Sequence, residues 1–114
     1  MEIKKNYDSL KKNSDFQNVK GKSKANRYLV MYVAQNNLSI NRLGISVSKK
    51  VGNSVVRHHL TRLIREAYRL NSNMFNSSLD IVVIARNTAK DKTYKEVESA
   101  LLHLAKLHNI LDEN

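Results

Sequence analysis

The sequence predicts a single α/β domain over residues 1–114, an α+β sandwich with helices laid on one mixed sheet. Three observations point there. Residues 27–34, 41–48 and 80–85 carry β-branched and apolar side chains at strand spacing. A helical pattern over 54–70 lies between the second and third of these strands. A second helical pattern opens at Thr93 and closes the chain. A strand–helix–strand unit followed by a packed helix buries its apolar faces in two layers.

The elements follow in order. The first thirteen residues are rich in lysine and asparagine and read as loosely ordered. Ser14 and Asp15 are good caps for a short helix over 15–19, ended by Gly21, and 21–26 reads as a basic loop. Across 27–34, Tyr28, Val30 and Tyr32 share one face and Leu29, Met31 and Val33 the other, as in a strand covered on both sides. Gln35-Asn36-Asn37 is a turn. In 41–48, Leu43, Ile45 and Val47 alternate with Gly44, Ser46 and Ser48, so one face is apolar and the other open to close approach. The run 80–85, Asp-Ile-Val-Val-Ile-Ala, suits a buried central strand. The helix over 54–70 is capped by Asn53 or Ser54 and buries Val56, Leu60, Leu63, Ile64 and Ala67. Thr93-Tyr94-Lys95-Glu96 is a capping box. The helix it starts runs towards Ile110 and buries Tyr94, Val97, Leu101, Leu104 and either Leu107 or His108.

Charge narrows the function. Twenty Lys and Arg face ten Asp and Glu, a formal +10. Residues 1–69 hold fifteen of the basic and four of the acidic groups, a net +11, which leaves a net −1 for 70–114. A field concentrated in one half of a small domain is the footprint of a polyanion partner. Nucleic acid is favoured over an anionic lipid surface, because the cations sit in a phosphate-binding pattern described below. Cysteine is absent, which removes disulfides and thiolate metal ligands. No apolar run approaches the roughly 20 residues of a membrane span, and the polar start is no signal peptide, so a cytoplasmic address is expected. The four histidines lack ligand spacing: His58 and His59 are adjacent, and His103 and His108 are five apart. No metal site, no bound cofactor and no small-molecule substrate is expected. Catalytic residues are not expected either, since phosphate loops, nucleophile elbows and paired acidic motifs are all missing.

The most informative stretch is Ser48-Lys49-Lys50-Val51-Gly52-Asn53-Ser54-Val55-Val56-Arg57. Two lysines, a glycine and a capped helix start offer backbone N–H groups and a positive dipole end to phosphate. At 100° per residue, His58, Arg62, Arg65 and Arg69 then share the face opposite the apolar stripe, with Arg57 at its flank. Guanidinium groups match phosphate geometry. A merely solvated face would interleave glutamates, but Glu66 is the only acid between Asp15 and Asp80. Phe16, Tyr28 and Tyr32 are candidate stacking platforms for single-stranded nucleic acid, beside Lys20 and Arg27.

KKVGNSVVRHHLTRLIREAYR resembles the signature helix of the bacterial ribonuclease P protein subunit. SDFQNV near the start, GISVSKK before the motif and DIVVIAR after it extend the resemblance from about Leu10 to Leu107. It implies an αβββαβα-like, ribosomal protein S5 domain 2-like fold with a left-handed βαβ crossover, against the usual right-handed rule. It implies an accessory subunit of a tRNA 5′-maturation endoribonuclease, partnered by ribonuclease P RNA and precursor tRNA. The RNA subunit would use Mg2+ and hold the catalytic centre. Lys49, Lys50, Gly52, Asn53, Arg57, Arg62 and Arg65 match the family's RNA-binding motif, and Phe16 and Tyr32 match aromatics of the cleft that holds the single-stranded leader. Three positions depart from the family pattern: His58-His59 replaces Asn-Arg, Thr61 stands where a basic residue is common, and Lys20 stands where a second cleft aromatic is expected. A basic ribosomal-type RNA-binding protein without a role in cleavage is the alternative reading, with a stand-alone nuclease behind it.

Overall fold

A five-stranded sheet in the order β1-β4-β5-β3-β2 organises the molecule. The computed structural model describes residues 7–10 and 21–112. The strands are β1 (Tyr7–Ser9), β2 (Lys22–Ala25), β3 (Leu29–Gln35), β4 (Asn41–Ser46) and β5 (Leu79–Ala85), and the helices are α1 (Ser54–Asn71) and α2 (Tyr94–Leu107). β5 is central, parallel to β4 and antiparallel to β3. β1 lies parallel on β4, and β2 lies antiparallel on β3. The sheet is therefore mixed, as expected, and β4–α1–β5 is a parallel crossover unit. The proposed short helix over 15–19 lies outside the described residues.

Period-two alternation sorts the two sheet faces. Leu29, Met31, Leu43, Ile81, Val83 and Ala85 turn to the helices, where they join Leu60, Ile64, Ala67, Leu101 and Leu104 in the main core. Leu10 and Val82 form a smaller cluster on the opposite face, with Tyr32, Ala34 and Ile84 against it. Asn53 alone caps α1, accepting from the Val56 N–H at 3.0 Å. The capping box is present: Glu96 N–H donates to the Thr93 hydroxyl, and the Thr93 N–H donates to the Glu96 carboxylate. At the far end of α2 the helix stops at Leu107 rather than nearer Ile110, because Asn109 adopts φ 56° and reverses the chain. Of the alternatives for its last apolar position, His108 is half-buried and bonds the Met31 carbonyl at 2.9 Å, while Leu107 is exposed.

Two segments differ from expectation. Tyr7–Ser9 lies in the stretch read as loosely ordered, yet it is a strand. Tyr7 is buried in an aromatic chain with Tyr68 and Phe75, successive ring centroids 4.8 Å apart. Residues 22–25, within the basic loop expected over 21–26, are a strand whose four side chains are all exposed, so no apolar alternation marks it. Register with β3 makes them strand, with Ser23 opposite Tyr32. Gly21, just before β2, is under a hard constraint, since a Cβ there would sit 1.6 Å from the Val33 carbonyl oxygen.

Polar groups inside the sheet are satisfied. The buried Asn41 side chain donates to Tyr68 Oη (3.0 Å) and the Asn76 carbonyl (2.7 Å) and accepts from the Leu79 N–H (2.9 Å). On the opposite face, Arg42 grips Asp80 through Nε and Nη2 at 2.7 and 2.6 Å, and Asn36 Nδ2 adds a bond at 3.0 Å. Burial by itself would raise the Asp80 carboxyl; the Arg42 and Asn36 hydrogen bonds and the Arg42 charge outweigh it and hold the group below its ordinary value.

Candidate nucleic-acid interface

The lysine turn runs directly into α1, and both carry exposed basic side chains. Buried Val51 pins the turn, its N–H bonded to the Ser48 carbonyl at 3.1 Å, and Lys49 and Lys50 are left exposed. The closeness of Gly52 to the helix explains its identity: a Cβ would meet Val56 Cγ1 at 2.8 Å. Asn53 then caps α1, so its side chain is already committed to the Val56 amide. Leu60, Ile64, Ala67 and Tyr68 form the buried stripe, while Val56 and Leu63 are only half-buried. Tyr68, absent from the sequence-predicted stripe, is among the largest fully buried side chains. Nothing in a basic stretch marks an aromatic as core.

The basic side chains are not equivalent. His58, Arg62 and Arg65 are exposed and have no ion-pair partner among the described residues. Arg57 is half-buried, and its Nε is buried without a hydrogen-bond partner among the described residues. Arg69 shares the face but is held by Glu66, with Nη2 to Oε1 at 2.5 Å and Nε to Oε2 at 3.2 Å. That hydrogen bond, more than the accompanying charge, lowers the Glu66 carboxyl from its ordinary value. Thr61 turns back on its own helix, Oγ1 donating to the Arg57 carbonyl at 2.8 Å.

The five candidate leader-cleft residues are not all together. Tyr32 is half-buried on the face away from the helices, in a cross-sheet row with Ser23, Val82 and Gly44. Tyr28 shares its parity but precedes β3, so the alternation does not apply to it. It packs instead on the helix side, its hydroxyl 3.5 Å from Glu96 and Lys92 Nζ 5.4 Å above its ring. Arg27 lines the same hollow of ≈ 450 Å³, together with Lys95, Ser99 and His103 of α2. Tyr28 and Arg27 therefore stand apart from Tyr32, which lies on the other face of the sheet. Phe16 and Lys20 lie outside the described residues. Among the described residues no cluster of His, Asp or Glu could hold a metal ion, and no helix is long and apolar enough to cross a membrane.

The ribonuclease P family model matches residues 4–108. The chain belongs to the ribonuclease P protein family. The ribonuclease P protein component of Lachnoclostridium phytofermentans is 64% identical over 109 residues, covering 94% of each chain. That of Alkaliphilus metalliredigens is 58% identical over 99 residues, 85% of this chain and 89% of its own. The Staphylococcus aureus RNase P protein structure superposes with a TM-score of 0.83 at 42% identity, over 91% of this chain and 97% of that one. The Thermotoga maritima RNase P protein gives 0.80 at 33% identity, over 88% and 96%. The half-buried groups Val56 and Leu63, His59 and residues 89–92 border a hollow beside α1 that no local signal marked, because its two walls are some 30 residues apart in the chain.

Proposed function

We propose that this chain is the protein subunit of a ribonuclease P ribonucleoprotein, binding the RNA subunit through the lysine turn and the outer face of α1. The observation that carries the reading is the stripe of Lys49, Lys50, His58, Arg62 and Arg65, exposed and without intramolecular ion pairs among the described residues, in a member of this family. Phosphates of a folded RNA would supply the missing counter-charges, with release of bound cations. The holoenzyme removes the 5′ leader of precursor tRNA by hydrolysis. The RNA subunit holds the Mg2+ ions and carries out cleavage, in the cytoplasm, and no residue of this chain touches the reacting bond. The sheet face around Tyr32 holds the single-stranded leader, where an aromatic ring can stack on a base.

The protein alone should leave precursor tRNA intact. Added to ribonuclease P RNA, it should lower the Mg2+ concentration at which the leader is removed, because its cations replace counterions at the phosphates. Leader cleavage measured across Mg2+ concentrations, with and without protein, tests this. Coincident curves would refute the assignment.

A further inference from the structure

Beside the basic face of α1 lies a hollow of ≈ 300 Å³, walled by α1 on one side and by residues 89–92 on the other. Its floor is apolar: Val56, Leu60, Leu63 and Ala89. Its rim is polar: His59, Lys90, Asp91 and Lys92. Asp91 sits at φ 65°, a left-handed residue that turns the loop between Lys90 and Lys92. Val55 stands at the edge, 75% exposed, a large apolar side chain left in solvent two residues before Arg57.

Val55 and His59 also line a second, shallower hollow of ≈ 530 Å³ with Ser54, His58 and Arg62. The two depressions thus join across Val55 and His59, and the second one opens onto the basic face. A chain of phosphates following His58 and Arg62 would therefore pass directly beside an apolar recess.

We propose that this recess takes one unpaired nucleotide of the RNA bound along α1, base on the apolar floor and phosphate towards Lys90; this rests on the reading of α1 as an RNA-binding face. Size fits the assignment, since about 300 Å³ is the small end of ligand pockets and holds one heterocycle. Charge fits as well. Lys90 is exposed and supplies a cation on the far wall, whereas Lys92 is already drawn over the Tyr28 ring. His59 and Asp91 are the hydrogen-bonding groups that meet a base edge. The Asp91 carboxylate also disfavours a second phosphate inside the recess, which turns the base inward. A base stacked against Val55 would remove from water the apolar surface that the fold leaves exposed.

The absence of cysteine makes the test direct. Single cysteines at Lys90→Cys, Arg65→Cys and Lys106→Cys, each carrying an azidophenacyl group, are photolysed on a bacterial ribonuclease P RNA transcript. Crosslinks are expected from positions 90 and 65 and none from position 106 at the end of α2. Those from 90 should fall on one unpaired nucleotide, whose Watson–Crick edge the wild-type protein shields from dimethyl sulfate if it is A or C and from a water-soluble carbodiimide if it is G or U. Val55→Asp should restore that reactivity and weaken RNA binding about tenfold, while position 65 still crosslinks. Crosslinking from 65 without crosslinking from 90 overturns the recess and leaves the α1 reading standing. Position 90 crosslinking only to paired nucleotides also overturns it. Failure of both positions to crosslink to bound RNA overturns the recess together with the α1 reading.

Discussion

Glu66 is the one acid on the basic helix, and its removal should strengthen RNA binding. In Glu66→Gln the Arg69 guanidinium loses the carboxylate that now accepts from Nη2 at 2.5 Å and Nε at 3.2 Å. Arg69 then becomes available to a phosphate, next to Arg62 and Arg65, which carry no ion pair among the described residues. Each phosphate contact contributes about 0.7 to 0.9 to the slope of log affinity against log salt. The variant should therefore steepen that slope by up to about one contact's worth. The double change Arg62→Ala and Arg65→Ala should flatten it by roughly 1.4 to 1.8, two contacts' worth. Arg69→Ala in the wild-type background should do less than either arginine alone, since that guanidinium is already engaged. The assay is filter binding or anisotropy on ribonuclease P RNA at several salt concentrations. Because the pair is solvent-exposed, the melting temperature of Glu66→Gln should scarcely move, so a binding change cannot be ascribed to unfolding. A slope unchanged by Glu66→Gln while Arg62→Ala and Arg65→Ala lower it would show that Arg69 lies off the RNA path. No change in either variant would refute the whole face.

Asp80→Ala should destabilise the fold by about 1–3 kcal/mol, less than a fully buried pair because the Arg42 side chain is 38% exposed; urea denaturation with an unaltered m-value checks it. The Asp80 carboxyl is lower in the folded protein than in the unfolded chain, so its stabilising contribution is complete above the unfolded value, near pH 4, and disappears as pH falls through the folded value. Acid titration of stability should lose that component in Asp80→Asn. Asn41→Leu removes partners from Tyr68 Oη, the Asn76 carbonyl and the Leu79 N–H, and should cost about 2–4 kcal/mol with RNA affinity retained at temperatures where it stays folded. Tyr32→Ala should weaken precursor tRNA binding by about 1–3 kcal/mol relative to mature tRNA, whereas Tyr28→Ala, on the helix side, should lower stability and leave that ratio unchanged.

Local chemistry made much of the fold legible. The Thr93–Glu96 capping box, the Asn53 cap and the run Ile81 to Ala85 each satisfy their own backbone or bury their own side chains, and each forms as read. What escaped depends on distant partners. Residues 22–25 show no alternation because all four side chains face water, and only the β3 backbone makes them a strand. Tyr7 reads as part of a polar tail until Tyr68, sixty residues on, gives it a ring to pack against. The same holds for the site. The lysine turn and the helical face are legible as spacing, but Tyr28 and Tyr32 share parity in the sequence, and only the start of β3 at Leu29 separates them.

Pairing is what separates the arginines that hold the fold from those offered to a partner. Counting charges cannot do this, since Arg42 and Arg62 contribute equally to the +11 of residues 1–69. Arg42 is closed on Asp80 in a two-point bond on the sheet, so transferring it to a phosphate would strand a carboxylate that is 11% exposed. Arg69 is intermediate, exposed but engaged within its own turn. Arg62 and Arg65 have neither constraint. Arg57 is different again: its Nε is buried with no partner, a cost that a phosphate oxygen reaching that edge of the helix would relieve. The effective footprint is therefore narrower than the net charge suggests. On the proposed reading it runs from the Lys49-Lys50 turn along α1 past Arg57 to Arg62 and Arg65, and a bound polyanion would supply most of the counter-charge of these lysines and arginines.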